Sequence, residues 1–502
     1  MHGPTVSSFG IAFLALLQTL AQADDWPQYR GPNHDGFSRE QIRLNWTEEP
    51  PRQLWRKTMD PGLSSFSISG GKAFTQVRRL NGSAQTEFCV ALNADTGEEL
   101  WAVPLDQASY PHGGVGSDDG PRSTPCIDGD RVYVFTSYLR LYCLNANSGQ
   151  TIWMKDFVAD LGSTVVAWQN AASPVIVGDL IFVNGNATNQ RLMAVRKSDG
   201  AIVWKGQNDR MTQATPVYGV VAGVPQVIFF AQSGLVSVEP ETGRVLWRYS
   251  LPFSTSTAAS PVIAGDTVYA SAAYGVGAGM VRISKSGLTV TSSQVWRTPG
   301  ANMNHWATPV FYEGHFYGIY GQSLVSLRCV EASSGVEKWR QDGVGTGGLL
   351  RVSDHLLVLT ANGTLIVVQP DPAQYREITR FRAVTTGKAW NVPAISHGRI
   401  YVRSTLQAAA FDVSLPPPPA KPLKLQPALS TDAKVFQLKI AAEDGSALDA
   451  AQAGKIEIHV SSDLSGENWT RLETNPVLNN GVLQIDEPIG AAPKFYRTVQ
   501  KP

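Results

Sequence analysis

SVEPETGRVLW, residues 237–247, joins an apolar strand to a Glu-Thr-Gly turn and places a tryptophan four residues after the glycine. Close versions of this phrase recur as NADTGEELW (93–101), NANSGQTIW (145–153), RKSDGAIVW (196–204) and EASSGVEKW (331–339). A phrase that recurs at regular spacing indicates a repeated structural unit. The glycine supplies the positive φ of a tight hairpin, and the preceding Asp, Asn, Ser or Thr can hydrogen-bond the turn backbone.

Each unit begins with a serine or threonine followed by proline. A short apolar strand, a turn, two further strands, the glycine turn and the tryptophan strand come after it, so that four antiparallel strands make one unit. The steps that start the units are Thr124-Pro125, Ser173-Pro174, Thr215-Pro216, Ser260-Pro261 and Thr308-Pro309.

The tryptophan strands predict how the units are joined. They are apolar on consecutive residues, which favours burial on both faces, with the indole filling the gap between neighbouring sheets. The first such strand, 52–57, has no three strands before it, and the last unit, 392–413, has no tryptophan strand after it. The sequence therefore predicts an all-β fold, an eight-bladed β-propeller closed by an N-terminal strand. The stations are Trp55, Trp101, Trp153, Trp204, Trp247, Trp296 and Trp339, with the eighth near Phe381.

Composition excludes some functions. The chain has 502 residues, 43% of them apolar, and its 42 Lys plus Arg balance its 42 Asp plus Glu. Because no basic excess exists to neutralise phosphates, no nucleic-acid partner is expected. The cysteines Cys89, Cys126, Cys143 and Cys329 lack the C-x-x-C spacing of a zinc site, and both disulfide pairing and buried free thiols are open to them.

The two ends of the chain predict further segments. Residues 1–23 contain a short apolar core followed by Ala21-Gln22-Ala23, which is typical of a signal peptide and of a periplasmic or extracellular protein. No later segment approaches transmembrane length. The propeller is expected over 24–413, a Pro-rich linker (LPPPPAKPLKLQP) over 414–427, and a small accessory β-sandwich over 428–502.

The Gly-x-x-x-Trp phrases, the strand pairs DGDRVYVF and GDLIFVNG, and the segment DWPQYRGPNHDGFS together resemble the pyrroloquinoline quinone (PQQ)-like repeat β-propellers over about residues 25–413. Relatives in that family include the propeller subunit of the outer-membrane β-barrel assembly machinery and the quinoprotein alcohol dehydrogenases. The C-terminal stretches SSDLSGENWTRLET and KFYR resemble a module carried by many secreted bacterial proteins, which implies an accessory or attachment role.

The two relatives imply different functions. The dehydrogenases imply PQQ in the central channel, a calcium ion, an aspartate base and often a disulfide between neighbouring cysteines. This sequence has no Cys-Cys pair and no stretch on which the calcium ligands or the aspartate can be placed. The assembly subunit implies a scaffold that binds proteins through loops and edges. It is normally a lipoprotein, whereas no cysteine lies close after the apolar core of residues 9–17 here, where a lipid would be attached.

The proline steps align the entrances of the units, because the residue three before each proline should occupy an equivalent place near the ring axis. Trp306 and Trp390 fall at this position and outside the structural tryptophan station. They mark a channel mouth that either binds a planar or sugar-like ligand or a partner's loop, or plugs the channel. The predicted mouth comprises Arg122, Gln213, Asn304, His305, Trp306, Lys388, Trp390 and Asn391, with Trp168, Asn170 and Tyr274 as weaker candidates.

These features predict a binding or scaffold protein for a protein partner or a small ligand, without assigned catalytic or metal residues. The alternative is a PQQ-dependent quinoprotein oxidoreductase acting on alcohols or sugars, with PQQ and calcium as cofactors. Two smaller features stay open. His34 and Asp35 could form an acid/base pair or only a turn, and Asp118-Asp119-Gly120 could hold calcium or be a solvated acidic turn.

Overall fold

The computed structural model describes residues 25–111, 116–253, 255–416, 422–430, 434–463, 468–490 and 494–500. The predicted signal peptide lies outside these residues. The chain divides into two compact units, Met1–Leu415 and Pro416–Pro502. The described residues are almost entirely strand and turn, and none of their helices is long and apolar enough to cross a membrane.

The strands of the first unit are short, as the repeat predicts. Its single described helix, α1 (Phe157–Leu161), follows the tenth strand. In chain order the strands are β1 (Phe37–Ser38), β2 (Arg52–Thr58), β3 (Ser67–Ser69), β4 (Lys72–Asn81), β5 (Ala84–Asn93), β6 (Glu99–Gln107), β7 (Cys126–Asp128), β8 (Arg131–Phe135), β9 (Arg140–Asn145), β10 (Thr151–Asp156), β11 (Val175–Val177), β12 (Leu180–Ala187), β13 (Gln190–Arg196), β14 (Ile202–Gly206), β15 (Val217–Val221), β16 (Val224–Ala231) and β17 (Gly234–Val238). They continue with β18 (Val245–Ser250), β19 (Val262–Ala264), β20 (Thr267–Ala272), β21 (Gly277–Ser286), β22 (Thr289–Thr298), β23 (Val310–Tyr312), β24 (His315–Tyr320), β25 (Ser326–Glu331), β26 (Glu337–Asp342), β27 (Gly348–Val352), β28 (His355–Leu359), β29 (Thr364–Gln369), β30 (Arg376–Arg382), β31 (Ala394–Ser396), β32 (Arg399–Arg403) and β33 (Gln407–Asp412).

Within the described part of this unit the strands form eight sheets. Six of them are antiparallel sets of four consecutive strands, from β3–β6 through β23–β26. The seventh contains β27–β30 with β1 added in parallel to β27, and the last contains β31–β33 with β2 added to β33. First strands of successive sheets contact one another, among them β3 with β7 and β15 with β19, and β3 also contacts β31. This all-β arrangement of small sheets is that of a β-propeller.

The N-terminal strand completes the last sheet. β2 pairs antiparallel with β33 from Arg52 opposite Asp412 to Thr58 opposite Gln407. At its end the Arg52 guanidinium lies 2.7 Å from the Asp412 carboxylate. Residues from the two ends of the unit therefore share one hydrogen-bonded sheet, as the lone first tryptophan strand predicts.

The tryptophans join each sheet to the next one. Six indole N–H groups donate to a backbone carbonyl in the turn of the following sheet, and five of these carbonyls lie three residues before the glycine of the recurring phrase. The donors and acceptors are Trp55 to Ala94 (2.9 Å), Trp101 to Ala146 (3.2 Å), Trp153 to Lys197 (3.0 Å), Trp204 to Pro240 (2.7 Å), Trp296 to Ala332 (2.7 Å) and Trp339 to Asp371 (2.7 Å).

The glycine of the phrase is needed for the same contact. Gly200 has φ +74°, and a Cβ placed on it would lie 2.7 Å from Cε3 of Trp153. The phrase therefore has two functions. Its tryptophan packs on the next sheet, and its glycine receives the tryptophan of the preceding sheet.

Two stations depart from this pattern. The Trp247 indole donates to the Gln226 side chain within its own sheet. The following sheet offers no equivalent turn, because β21 and β22 are extended and their glycine, Gly287, lies at the far end of the longer hairpin. The phenyl ring of Phe381 has no N–H to donate. It packs edge-on against Trp46, with 5.2 Å between the ring centroids.

Hydroxyl groups near the proline steps form a second set of links. Thr124, Ser173, Thr215 and Thr308 precede a proline, and each accepts a backbone N–H from a neighbouring sheet. Ser65, which precedes Phe66, does the same, whereas the Ser260 hydroxyl has no partner among the described residues. The bonds are Val392 N–H to Ser65 (3.1 Å), Ser65 N–H to Thr124 (3.1 Å), Thr124 N–H to Ser173 (2.9 Å), Ser173 N–H to Thr215 (3.0 Å) and Ser260 N–H to Thr308 (2.9 Å).

Residues 25–38, here called the strap, cross from the first sheet to the seventh. Trp26 bridges Ile68, and the strap ends in β1 against β27. Between these points Arg30, only 2% exposed, donates to the carbonyls of Thr308 (3.0 Å) and Pro309 (3.0 Å) in the sixth sheet. The strap thus contacts the beginnings of the first and sixth sheets and pairs with the first strand of the seventh.

The second unit contains two small sheets around a separate apolar core that includes Leu438, Ile458 and Ile485. One sheet has the order β34-β35-β39-β38 and the other β37-β36-β40. Its elements are β34 (Leu423–Leu429), β35 (Val435–Ala442), α2 (Ala450–Gly454), β36 (Ile456–Ser461), β37 (Thr470–Arg471), β38 (Val477–Asn479), β39 (Val482–Pro488) and β40 (Phe495–Gln500).

The linker is predicted over 414–427, and β34 begins within this range at Leu423. Leu423 and Leu425 pack against the core of the second unit. Pro427 lies in this strand opposite Leu438, and it is tolerated there because β34 is an edge strand.

All four cysteines are free and buried in the structure. Burial raises the pKa of the Cys329 thiol to about 11, which keeps it protonated at neutral pH. Of the two states open from the sequence, the structure has the thiols.

The indole contact can be tested with two glycine substitutions. Gly200→Ala should destabilise the protein by about 1–3 kcal/mol more than Gly178→Ala. Both glycines have positive φ, but a Cβ on Gly178 meets no atom within 4 Å, whereas on Gly200 it meets Trp153. Urea unfolding midpoints of the two variants measure the difference. Equal losses would show that the turn conformation alone requires the glycine.

Candidate functional site

A cavity of about 370 Å³ lies where the entrances of the sheets converge. The strap contributes Tyr29 to it, and apolar surface predominates in its walls. We call it the central cavity. Other residues that line it are Leu63, Ser65, Arg122, Trp168, Ala171, Gln213, Ser256, Ala258, Tyr274, His305, Trp306, Gly347, Trp390 and Asn391.

One sector of the wall is a continuous run of rings. Tyr274 meets His305 edge-on with centroids 5.1 Å apart, and His305 lies 3.9 Å from Trp306. Trp306 in turn lies 5.2 Å from Trp390 at an interplanar angle of 34°. The Lys388 ammonium is 5.5 Å from the centre of the Trp390 ring. Because the rings already pair with one another, a planar ligand has to compete with these contacts for their faces.

Neutral polar groups lie beside the rings. Asn391 is 6% exposed, and neither its side-chain oxygen nor its nitrogen has a hydrogen-bond partner among the described residues. The His305 Nε2 lies 3.0 Å from the Tyr274 hydroxyl. Burial lowers the pKa of His305 to about 4, so its imidazole is neutral at pH 7. This sector can therefore exchange hydrogen bonds with an uncharged group.

The positive charge of Arg122 at the cavity is neutralised by the carboxylate of Asp119. Its Nη2 lies 2.8 and 3.0 Å from the two oxygens of Asp119. The neighbouring Asp118 accepts from the Thr405 hydroxyl at 2.6 Å and lies 3.5 Å from the Lys388 ammonium. The acidic turn is thus held by cations and a hydroxyl of this chain.

The structure brings most of the predicted mouth together. Arg122, Gln213, His305, Trp306, Trp390 and Asn391 all line the central cavity. Asn304 was expected there and does not line it. It is fully buried, donating to the Ile319 carbonyl at 2.9 Å and accepting from the Tyr269 hydroxyl at 2.7 Å. Lys388 is also not in the wall, since it lies over Trp390 on the side of Asp118.

The sequence does not predict Tyr29 as a lining residue, and it gives Trp168, Asn170 and Tyr274 only as weaker candidates. Tyr29 comes from the strap, whose path depends on distant sheets and leaves no signal in the repeat. Tyr274 and Trp168 line the cavity with positive φ of 56° and 60°. Aromatic residues rarely adopt this conformation, so their sequence does not predict it. Asn170 is buried and bonds to the carbonyls of Thr136 and Ala172.

Gln213 has a positioning role in the wall. Its amide nitrogen donates to the carbonyls of Ala167 (2.7 Å) and Gln169 (3.3 Å), and its oxygen accepts from the Ser256 hydroxyl at 3.0 Å. These bonds hold the loop that carries Trp168. Trp168, Gln213 and Ser256 line both the central cavity and a second cavity.

His34 and Asp35 lie in the strap and make separate contacts. The His34 ring bonds to the Gln28 side chain at 2.9 Å, and burial lowers the pKa of His34 to about 4. Asp35 accepts from the Phe37 backbone N–H at 3.0 Å. Across the described residues, no cluster of three or more His, Cys, Asp or Glu could hold a metal ion.

The lining of the central cavity does not fit the calcium-bound quinone that the dehydrogenase resemblance implies. Calcium takes six to eight oxygen ligands, usually with carboxylates among them. None of the described lining residues is Asp or Glu, and the Asp119 carboxylate is engaged by Arg122. We therefore derive no reaction step through such a group.

A buried carboxyl supports the rim beside Arg122. Glu87 is fully buried, and it accepts from the Tyr110 hydroxyl at 2.7 Å and from the Ser137 backbone N–H at 3.1 Å. Burial raises the pKa of Glu87 to about 7 despite these hydrogen bonds. The Arg122 guanidinium lies 5.5 Å from the centre of the Tyr110 ring. Glu87 is thus linked to the cavity wall through Tyr110.

The sequence is similar to that of known PQQ-repeat proteins. The PQQ-repeat family model described as outer membrane protein assembly factor BamB matches residues 85–313. BamB of Yersinia pestis is 25% identical over 349 residues, 65% of this chain and 80% of that protein. BamB of Burkholderia pseudomallei is 26% identical over 181 residues, 36% of this chain and 42% of that protein.

Solved structures show the same fold. BamB from Moraxella catarrhalis superposes with a TM-score of 0.50 at 13% identity, covering 72% of this chain and 99% of that one. Quinohemoprotein alcohol dehydrogenase from Comamonas testosteroni gives 0.56 at 12% identity, covering 81% and 83%. The resemblance found in the sequence is confirmed: the chain is similar in sequence to BamB, and its fold is that of the PQQ-like repeat β-propellers of BamB and of a quinohemoprotein alcohol dehydrogenase.

Glu87 predicts a pH dependence of stability. Its pKa is about 7 in the fold against an ordinary value of 4.5, so the folded state holds the extra proton between these pH values. The stability that this group contributes is full below about pH 4.5 and is lost as the pH rises to about 7. From pH 4.5 to pH 7 we expect the free energy of unfolding of Glu87→Gln to rise relative to that of the wild type by about 3 kcal/mol, measured by urea unfolding.

The exposed Glu98 provides the control, because Glu98→Gln removes a carboxylate without changing a buried group. Its stability should follow that of the wild type at every pH. A difference between Glu87→Gln and the wild type that stays constant from pH 4.5 to 7.5 would contradict the role assigned to Glu87.

Proposed function

We propose that the chain is an exported scaffold protein that binds a protein partner through the central cavity and its rim. The observation that carries this proposal is the cavity itself, with its run of Tyr274, His305, Trp306 and Trp390 and the unpartnered amide of Asn391. Anchor residues at protein interfaces fill such apolar pockets, and polar groups inside the pocket fix their orientation. A side chain from a partner's loop fits this description.

The relatives support a protein partner. BamB of Yersinia pestis is named as an outer membrane protein assembly factor, and it covers most of the propeller. By analogy, the partner of this chain is a protein of the bacterial envelope. We assign residues 1–23 as the signal peptide that exports the chain to the periplasm or beyond the cell.

We also propose the finer architecture. The eight sheets are the blades of a closed ring over residues 24–413, which presents the cavity at its axis. The pairing of β2 with β33 and the contact between β3 and β31 support closure. A short linker and a C-terminal β-sandwich follow, the latter supported by the two sheets of the second unit, and we assign it an accessory role.

A small planar or sugar-like ligand is the second candidate occupant. Asn391 favours it, because a buried amide with both atoms unpartnered can donate to and accept from the same small molecule. In either case the proposed activity is binding, with no catalytic residue assigned.

Photo-crosslinking tests the protein partner. Replacing Tyr274, which is 40% exposed at the cavity, with p-benzoylphenylalanine in producing cells should yield one discrete adduct with an envelope protein. The same replacement at Leu324, 87% exposed and outside the lining, is the matched control. Adding Trp306→Ala should reduce the Tyr274 adduct at least severalfold, measured by immunoblot and identified by mass spectrometry.

Two results would overturn the scaffold proposal. One is an adduct that forms equally at positions 274 and 324, or that is unaffected by Trp306→Ala. The other is visible cofactor absorbance and alcohol-dependent dye reduction after purified protein is mixed with PQQ and calcium, which would favour the oxidoreductase.

A further inference from the structure

A second cavity, here called the arginine cavity, lies beside the central cavity between the third and fourth sheets of the first unit. Its volume is about 620 Å³, within the usual range for small-molecule sites. Arg191 at the start of β13 and Arg210 in the loop after β14 both line it. No motif of the repeat accounts for either arginine.

Arg191 is a buried cation without a bonded carboxylate. Only 8% of the residue is exposed. Its Nε donates to the Asn208 side-chain oxygen at 2.9 Å, and its Nη1 donates to the carbonyl and the side-chain oxygen of Asn186. Neutral acceptors fix the guanidinium in place but leave its charge uncompensated, which is costly for a buried group.

Arg210 adds a second positive charge close to the first. Burial lowers the pKa of Arg191, and the charge of Arg210 lowers it further, so the two guanidinium groups repel each other. Arg210 is exposed, and it makes no side-chain hydrogen bond or ion pair with the described residues. Because neither of these two cations is bonded to a carboxylate, together they form a site for an anion.

The nearest carboxylate in sequence does not cancel these charges. Asp209 is not part of the described lining, and its Oδ1 accepts from Arg248 at 2.7 Å and from the Ser233 hydroxyl at 2.7 Å. It attracts Arg191 electrostatically, but with Arg248 included three guanidinium groups share one carboxylate. None of the described residues that line the arginine cavity is Asp or Glu.

The rest of the wall carries hydroxyl and amide groups. Thr188, Gln232 and Ser256 bring side chains that can both donate and accept hydrogen bonds, and Trp168 and Phe253 add aromatic surface. Such a lining suits a molecule that bears hydroxyl groups and a C–H face in addition to a charge.

We propose that the arginine cavity binds a small hydroxylated organic anion, with its carboxylate or phosphate on Arg191 and Arg210 and its hydroxyl groups on the Thr, Ser and Gln side chains. The site differs from the central cavity in its charge, since Arg191 and Arg210 line only the arginine cavity, although the two cavities share Trp168, Gln213 and Ser256. It requires no protein partner and does not depend on the proposed scaffold function.

Isothermal titration of the purified protein tests this proposal. The probes are D-glucuronate, glucose 6-phosphate, inorganic phosphate and D-glucose, at low salt. We expect at least one of the two acidic sugars to bind at least tenfold more tightly than D-glucose and than inorganic phosphate. Comparison of the two acidic sugars distinguishes a carboxylate from a phosphate as the preferred charge.

Arg210→Ala is the informative variant, because this exposed side chain can be removed without disturbing the core. It should weaken binding of the acidic sugar at least tenfold, whereas Arg282→Ala, an exposed arginine on β21 outside the cavity, should leave it unchanged. The proposal is overturned if neither acidic sugar binds, if D-glucose or inorganic phosphate binds as tightly, or if Arg210→Ala has no effect.

Discussion

The contact between an indole and the glycine turn of the next sheet is the constraint on which the first unit depends. It combines a hydrogen bond from the indole N–H with close packing of the ring against a residue that has no Cβ, as in Trp153 over Gly200. Each sheet therefore needs its successor to bury its outer strand. Trp55, at the start of the propeller, packs on Gly97, so the strand that completes the last sheet is itself held by the first.

Each copy of the recurring phrase contains both residue types of this contact, a glycine and a tryptophan. The tryptophan of one copy meets the glycine of the next, which is why the fold could be predicted from the sequence. The glycine and the tryptophan are four residues apart, and repetition at regular spacing fixes which sheet meets which. Features outside the phrase were not predictable. The bond from Trp247 to Gln226 replaces a turn that is absent from its usual place, and the path of the strap depends on Arg30 reaching carbonyls about 280 residues away.

In the candidate site, too, residues at repeated positions were predictable and the others were not. Trp306, Trp390 and Gln213 each stand three residues before a proline, and all three line the central cavity. Asn304 is only two residues from Trp306, yet it turns into the sheet because its amide completes bonds to Ile319 and Tyr269. The arginine cavity was not predicted, because Arg191 and Arg210 occupy non-equivalent positions, one on β13 and the other in the loop after β14, and the pairing of these two strands brings them together.

The wall between the two cavities connects them physically. Trp168 and Gln169 both have positive φ, 60° and 57°, which is strained for residues with a side chain and persists only when the surroundings enforce it. Gln213 supplies that constraint, since its amide nitrogen binds the carbonyls on either side of Trp168 while its oxygen accepts from Ser256. Because Trp168 and Ser256 line both cavities, a group that displaces either of them on one side must also change the opposite wall. The two cavities therefore share part of their lining, which Gln213 holds in place.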